Sequence, residues 1–311
     1  MVCHVCNIIC KKFGKFGPKK IQRYRCKQCG KTFSEYQEKP LEEMRIPMEK
    51  ALQALHLMVE GCGIRSISRI TGLHIETVLA LLKKAGERAA MLMDSGIRNV
   101  TADQVQVDEI WSFVHCKQKN VKDDDRTVGD QYTFVSFDRE SKLVLNYVIG
   151  KRTAGNAQKL MDDLTTRISN RPQISTDGFT PYIDAVEWAF GANVDYAQLV
   201  KVYAGNEAGR ERYSPSECVG AVPSVITGHP DPKMICTSHV ERNNLTMRIF
   251  LRRLTRLTLG FSKKLENLKH AVALHFAYYN FCRVHKSLRV TPAMEARITD
   301  HVWTLGELLS C

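Results

Sequence analysis

Between residues 47 and 86 the apolar positions fall at three- and four-residue steps. Ala51, Leu52, Leu55 and Val59 share one face of a predicted helix that Gly61 or Gly63 would end. A second apolar run over 64–70 is cut by Thr71-Gly72-Leu73, and a third covers 75–85. Ile67, Ile70, Leu73, Val78 and Leu82 are the expected core of this pair. Two short helices across a glycine turn predict a helix-turn-helix over 47–86, whose second helix enters the major groove, although generic helical bundles use such turns too. His74 stands where a Ser or Asn cap is usual. Residues 87–103 read as a helix tail and linker.

From Gln104 the period shortens to two. Val105, Val107, Trp111 and Phe113 predict a strand, Tyr132, Phe134 and Ser136 a second after a polar loop, and 143–149 a third. Ala157, Leu160, Met161, Leu164 and Ile168 mark an amphipathic helix. A strand at 173–176, a helix at 182–189 and a strand at 194–202 follow. The order βββαβαβ is that of an α/β ribonuclease H-like domain with a mixed sheet, expected over 104–290. The segment 204–237 is rich in Pro and Gly and reads as an irregular insertion. Helical periodicity returns at 240–259 and 263–281, and 291–311 is a C-terminal tail.

Composition changes this picture through the placement of charge. The chain has 311 residues, 45 Lys and Arg against 33 Asp and Glu, and a net charge of +12. Residues 1–39 and 242–290 hold the basic excess, and the stretch between them is mildly acidic. Two basic footprints fit a polyanion, or else a solvated basic face. No apolar run approaches the ~18 residues of a membrane span, and residues 1–31 lack a signal-peptide core, so neither export nor a membrane partner is expected.

Cys3-x-x-Cys6 and Cys26-x-x-Cys29 are two tight knuckles separated by nineteen residues rich in Lys and Gly. Four thiolates complete the closed tetrahedral shell that structural Zn²⁺ prefers, which predicts a zinc ribbon over 1–39. Cys10 and His4 are surplus to it.

Three carboxylates stand at suggestive places. Asp108 lies in the first strand of the α/β domain, Asp177 directly follows the fourth, and Glu241 opens a late helix. In a ribonuclease H-like sheet the first and fourth strands are neighbours, so these acids are expected to converge. Clustered without cations they would repel one another, and two Mg²⁺ ions about 3.5–4 Å apart relieve this while promoting in-line displacement at phosphorus. Asp123-Asp124-Asp125 reads as a solvated turn, and strand alternation is expected to send Glu109 to the face opposite Asp108. On the wheel of the late helix Arg248 and Arg252 fall within roughly 20° of Glu241, opposite an apolar stripe of Met247, Phe250, Leu251, Leu254 and Leu257. A row of arginines beside a metal site suits a phosphate backbone. His285, with Arg283, Lys286 and Arg289, is a candidate for the same track.

Val107-Asp108-Glu109-Ile110-Trp111-Ser112-Phe113, Ser175-Thr176-Asp177-Gly178 and Ser238-His239-Val240-Glu241-Arg242-Asn243-Asn244-Leu245 resemble the catalytic blocks of insertion-sequence-one-type transposases, DDE enzymes of a compact prokaryotic mobile element. The resemblance continues through Arg252-Arg253-Leu254-Thr255-Arg256, Phe261-Ser262-Lys263-Lys264 and Tyr279-Asn280-Phe281-Cys282-Arg283-Val284-His285, and covers nearly the whole chain. It implies that Asp108, Asp177 and Glu241 ligate catalytic Mg²⁺ (or Mn²⁺), and that one frame joins the DNA reader to the catalytic domain. It also implies partners: double-stranded DNA as terminal inverted repeats and as target, and a homo-oligomer on that DNA. The implied place is the cytoplasm of a prokaryote, on the nucleoid. Arg65, Arg69, Lys83 and Lys84 in the helix-turn-helix, and Arg242, Asn244, Arg248, Arg252 and Arg253 around the late helix, are the expected DNA contacts. A DNA-binding regulator that has lost catalysis, or a metal-dependent nuclease of the same fold, remain the alternatives.

Overall fold

A computed structural model describes residues 1–3, 5–17, 20–34, 41, 44–122, 125–203, 218–256 and 258–310. His4, the pair Asp123 and Asp124, positions 204–217 of the expected insertion, Leu257 and Cys311 lie outside the described residues. The chain divides into two compact units, Met1–Glu43 and Met44–Leu309.

In the first unit, β1 (Lys11–Phe16), β2 (Ile21–Arg25) and β3 (Thr32–Ser34) form an antiparallel sheet in that order. All six residues of β1 are exposed, so the sheet has almost no apolar face. What is buried is sulfur: Cys3, Cys10 and Cys26, with Ile8, Tyr24 and Phe33 packed around them.

The second unit opens with α1 (Met48–Val59), α2 (Ile64–Thr71) and α3 (Ile75–Gly96). Gly72 ends α2 at φ 71°, a left-handed turn that a side chain would strain. Ser68 Oγ donates to the Leu73 carbonyl at 2.7 Å, and the His74 ring accepts from Glu76 N at 3.4 Å, so His74 does cap α3. Ile67, Val78 and Leu82 are buried as expected. Ile70 is not: it is 56% exposed, because α2 turns Ile67 and Thr71 inward and leaves Ile70 beyond the contact. Helix α3 runs on to Gly96 and packs on α7 (Leu265–Ala277). The helices meet at Gly86, where a Cβ would stand 2.4 Å from His270 Cβ and 2.6 Å from its Cα. Gly→Ala in a free helix gains up to about 1 kcal/mol, but overpacking costs about 1–3. Gly86→Ala is therefore expected to lower the melting temperature, and an unchanged or higher one would refute this close packing.

The α/β sheet has β4 (Gln104–Val114), β5 (Gly129–Asp138), β6 (Val144–Gly150), β7 (Gln173–Asp177), β8 (Asp195–Tyr203) and β9 (Cys218–Thr227), in spatial order β6-β5-β4-β7-β8-β9. The first three form an antiparallel meander, β7 joins β4 in parallel and β8 joins β7 in parallel. This is the expected ribonuclease H-like mixed sheet. Helices α4 (Ala154–Thr165) and α5 (Pro181–Phe190) cover one face, and α6 (Ser238–Phe250) and α7 the other. Two short helices, α8 (Pro292–Glu295) and α9 (Leu305–Ser310), close the chain. Among the described residues no helix is long and apolar enough to cross a membrane.

Two expectations need correction. Residues 218–227 are not irregular: they form β9, antiparallel to β8, with Pro223 opposite Leu199. An edge strand tolerates proline, and with eight of its ten positions exposed it has no buried face to impose alternation. The late helix does not reach 259. It stops at Phe250, Leu251 is extended at φ −108°, ψ 97°, and a 3₁₀ turn follows at Arg252–Leu254. Thr255 Oγ1 takes the Arg248 carbonyl at 3.0 Å, a side-chain hydrogen bond that competes with helix continuation. Leu251 and Leu254 stay buried, which is why the apolar spacing mimics a longer helix.

Candidate active site

Strands β4 and β7 pair only as far as Val107 and Thr176. Beyond that point β4 stays with β5 and β7 with β8, and the two central strands part. Asp108 and Asp177 are the next residue on each. They line a cleft of about 580 Å³ together with Arg152, Phe179 and Lys201.

Each carboxylate is held from behind. Asp108 Oδ1 accepts from Glu109 N at 2.9 Å, and Oδ2 accepts from Asn244 Nδ2 of α6 at 2.9 Å. Gln106, two residues back on the same face, accepts from His239 N and Val240 N at 2.9 and 3.1 Å, which fixes the start of α6 on β4. Asp177 Oδ1 accepts from Phe179 N at 3.1 Å across the turn into α5.

Glu109 lies on the face opposite Asp108, as strand alternation expects, but it still joins the carboxylate cluster. Its backbone does face α5, where Tyr182 donates its hydroxyl to Oε2 at 3.1 Å. Yet the carboxylate oxygens of Asp108, Glu109 and Asp177 all lie within 4.8 Å of one another. The two strands have parted at this level, and glutamate is one methylene longer than aspartate. Arg152, from the segment after β6, pairs with Glu109, stands 3.5 Å from Asp177 Oδ2, and stacks 4.0 Å above the Phe179 ring.

Glu241 does not join this trio. Its Oε1 accepts from Lys201 Nζ at 2.6 Å and from Thr237 Oγ1 at 2.5 Å. It stands at the rim of the same cleft, paired with Lys201 of the cleft wall and three residues before Asn244, which bonds Asp108. Burial, and then the charges of Asp177, Glu109 and Glu241, push Asp108 up to about 7. Burial also raises Glu109 and Asp177. Crowded carboxyls raised by burial and mutual repulsion ionise once a hard divalent cation neutralises them, and the trio's oxygens, all within 4.8 Å of one another, could hold such a cation.

The four ribbon cysteines also meet. The sulfurs of Cys3, Cys6, Cys26 and Cys29 lie within 4.8 Å of one another, with Cys3 and Cys29 at 3.6 Å. Zn–S bonds of about 2.3 Å in a tetrahedron need sulfurs roughly 3.8 Å apart. After each pair the chain turns through a left-handed residue, Asn7 at φ 56° and Gly30 at φ 71°. Backbone N–H groups of Cys29 and Gln28 pull Cys26 down to about 6, favouring a thiolate.

The expected DNA contacts divide. Arg65, Arg69 and Arg242 are exposed, and Lys83 is exposed beside Glu87 at 3.9 Å, whereas Lys84 is half-buried. Arg248 shares the Glu241 side of α6, with Nε enclosed and unpartnered. Arg252 is exposed but lies beyond the helix end, in the 3₁₀ turn. Asn244 and Arg253 are corrections. Asn244 is 7% exposed and serves Asp108 rather than solvent. Arg253 donates Nη1 to Ser262 Oγ at 2.9 Å, its Nη2 is sealed without a partner, and burial brings it down to about 10. No local pattern distinguishes an arginine that turns inward from its exposed neighbour. Glu109 carried a signal, adjacency to Asp108; Arg152 and Lys201 carried none.

No family model and no curated protein matches the chain. Among solved structures, a piggyBac transposase synaptic complex with hairpin DNA is similar at 10% identity and a TM-score of 0.38, over 86% of this chain and 72% of that one. A pre-cleavage Mos1 transpososome is similar at 14% identity and a TM-score of 0.18, over 52% of this chain and 62% of that one, less than two thirds of its length. Likenesses this weak leave the chain's identity to its own site.

Proposed function

We propose that this chain is a DNA transposase of the insertion-sequence-one type, which cuts the ends of its element and joins them to target DNA. The observation that carries this reading is the meeting of Asp108, Glu109 and Asp177 at the parting of β4 and β7, with Glu241 at the rim. Asp108 and Asp177 would hold Mg²⁺ (or Mn²⁺), with Glu109 or Glu241 completing the set. When bound, such ions activate an attacking oxygen and stabilise the leaving one in an in-line displacement at phosphorus.

The chain's own groups prepare that chemistry. Asn244 and the Glu109 N–H orient Asp108, and the Phe179 N–H orients Asp177. Lys201 and Arg152 bring two cations to the cleft wall, where a phosphodiester backbone would draw them from Glu241 and Asp177. Water is the first nucleophile and the freed 3′-hydroxyl the second, so no covalent protein intermediate is needed.

The zinc ribbon, through Cys3, Cys6, Cys26 and Cys29, and the helix-turn-helix, through Arg65, Arg69, Lys83 and Lys84, would hold the terminal inverted repeats. Arg242, Arg248 and Arg252 would follow the strand away from the cleft. Two ends must act together, which calls for a homo-oligomer on DNA, in the nucleoid of a prokaryotic cytoplasm.

Labelled inverted-repeat duplex, target plasmid and Mg²⁺ test the reading. Joined products are expected from the unaltered protein. Asp177→Asn should abolish them and leave binding of the duplex unchanged. Cut but never joined ends would mark a nuclease, a bound intact duplex would mark a regulator, and full cleavage by Asp177→Asn would remove the trio from the mechanism.

A further inference from the structure

Helix α6 separates two charged flanks. At about 100° per residue, Val240, Asn244 and Met247 face the sheet and are buried. Glu241 and Arg248 share the flank toward the cleft. His239, Thr246 and Phe250 share the other, about 200° around from Glu241.

That second flank is edged by cations from segments distant in sequence. In the turn after β5, Arg139 donates Nε to His239 Nε2 at 3.4 Å and reaches Met234 Sδ. Lys142, left-handed at φ 60°, donates to the Arg139 carbonyl. At the far end of α6 the Arg283 guanidinium lies 3.8 Å above the Phe250 ring. Directly after Arg283 a tight loop, closed by His285 N to the Val290 carbonyl at 2.9 Å and Arg289 N to the His285 carbonyl at 2.8 Å, sets Lys286 and Arg289 in solvent.

Lys142 connects the two ends. Two residues on, Val144 donates its N–H to Asn280 Oδ1 at 3.0 Å and its carbonyl accepts from Asn280 Nδ2 at 2.9 Å, which sets the segment carrying Arg283 beside the turn carrying Lys142. Among the described residues Arg139, Lys142, Arg283, Lys286 and Arg289 form no salt bridge. Glu140, exposed in the same turn, and the buried Asp138 are acids that face Lys142.

We infer that this flank is a second docking surface for double-stranded DNA, taking a phosphate backbone on the side of α6 away from the carboxylate cleft. The inference rests on the transposase reading, in which one chain must meet two duplexes. From His239 to Phe250 the helix rises about 16 Å, the span of roughly five phosphates of one strand at about 3.4 Å each. Arg283 is pre-ordered by its aromatic seat, so little side-chain freedom is lost on binding. Arg283, Lys286 and Arg289 therefore do not continue the arginine row beside Glu241, contrary to the expectation from sequence: Arg283 is seated on Phe250, and the body of α6 stands between the two.

The test uses the full-length protein without Mg²⁺, loaded with unlabelled inverted-repeat duplex and titrated with a labelled duplex of unrelated sequence over a range of salt. In Lys142→Gln/Lys286→Gln/Arg289→Gln the plot of log affinity against log salt should become shallower by up to ~2.7, about 0.9 per lost contact. Binding and Mg²⁺-dependent cutting of the inverted-repeat duplex should match the unaltered protein. An unchanged slope, with that cutting intact, would overturn this inference alone. Polyglutamate competing as well as DNA at equal charge would overturn it in favour of an acidic protein partner. Binding of neither duplex by the unaltered protein would overturn it together with the reading on which it rests.

Discussion

Asp108→Asn is expected to slow Mg²⁺-dependent cutting of end DNA by on the order of 10³-fold or more, and at the same time to make the metal-free protein more stable at pH 8. The first effect follows from loss of a carboxylate that holds the ions, because metal stabilisation of a phosphoryl transition state is worth several kcal/mol and each 1.36 kcal/mol is tenfold. The second follows from the enclosure of Asp108. Burial and three neighbouring acids raise it from 3.8 to about 7. A raised carboxyl contributes stability that is complete below about pH 4 and is lost as pH rises through 7. At about 1.36 kcal/mol per pH unit the loss by pH 8 is on the order of 4 kcal/mol. Asparagine cannot ionise and escapes it. Glu109 and Asp177 are raised in the same direction, so a weaker pH dependence persists in the variant. Urea unfolding at pH 5 and pH 8 without metal, beside a cleavage assay, measures both effects. If the unaltered metal-free protein is equally stable at the two pH values, the acids are not packed together as described. Saturating Mg²⁺ should return most of the lost stability to the unaltered protein and little to the variant.

Cys26→Ser is expected to empty and unfold the first unit. With β1 exposed throughout and a core of three sulfurs and a few side chains, this unit cannot bury enough apolar surface to fold on its own. Zn²⁺ bound to four thiolates supplies about 10–16 kcal/mol of folding free energy in such small domains. Loss of one ligand should remove the zinc, expose the backbone amides of Ile21–Arg25 to rapid hydrogen exchange, and weaken binding to inverted-repeat DNA. The melting of the second unit should not change. Cys10 lies buried beside the cluster and could replace the lost thiolate, so Cys10→Ser/Cys26→Ser is the decisive companion. One zinc per chain in that double variant would refute the four-cysteine site.

Much of the architecture is legible in the one-dimensional pattern. The alternation of Val105 and Val107 marks β4, the buried spacing of Ala157, Leu160, Met161 and Leu164 marks α4, and Gly72 marks the turn between α2 and α3. These features are local, because a face buried against the rest of the protein imposes its own period on the sequence. Where no face is buried the signal vanishes, and β9 reads as an irregular loop. Where buried leucines continue past a break, the signal persists too long, and α6 reads nine residues beyond its true end.

The candidate site divides along the same line. The groups that carry chemistry can be read from spacing alone: two cysteine knuckles, an acid in the first strand, and a second acid 69 residues later at the end of the fourth. Tertiary structure alone decided which groups share a space. It parted the strands past Val107 and Thr176, brought Glu109 within 4.8 Å of the aspartates, and set Lys201 on Glu241 and Arg152 on Glu109. It turned Asn244 and Arg253 inward and gathered cations from two distant segments along the far flank of α6. Spacing encodes which way a residue faces within its own element. Which charges meet depends on where neighbouring strands part and how a helix is rotated on the sheet, and the packing of the whole unit sets both.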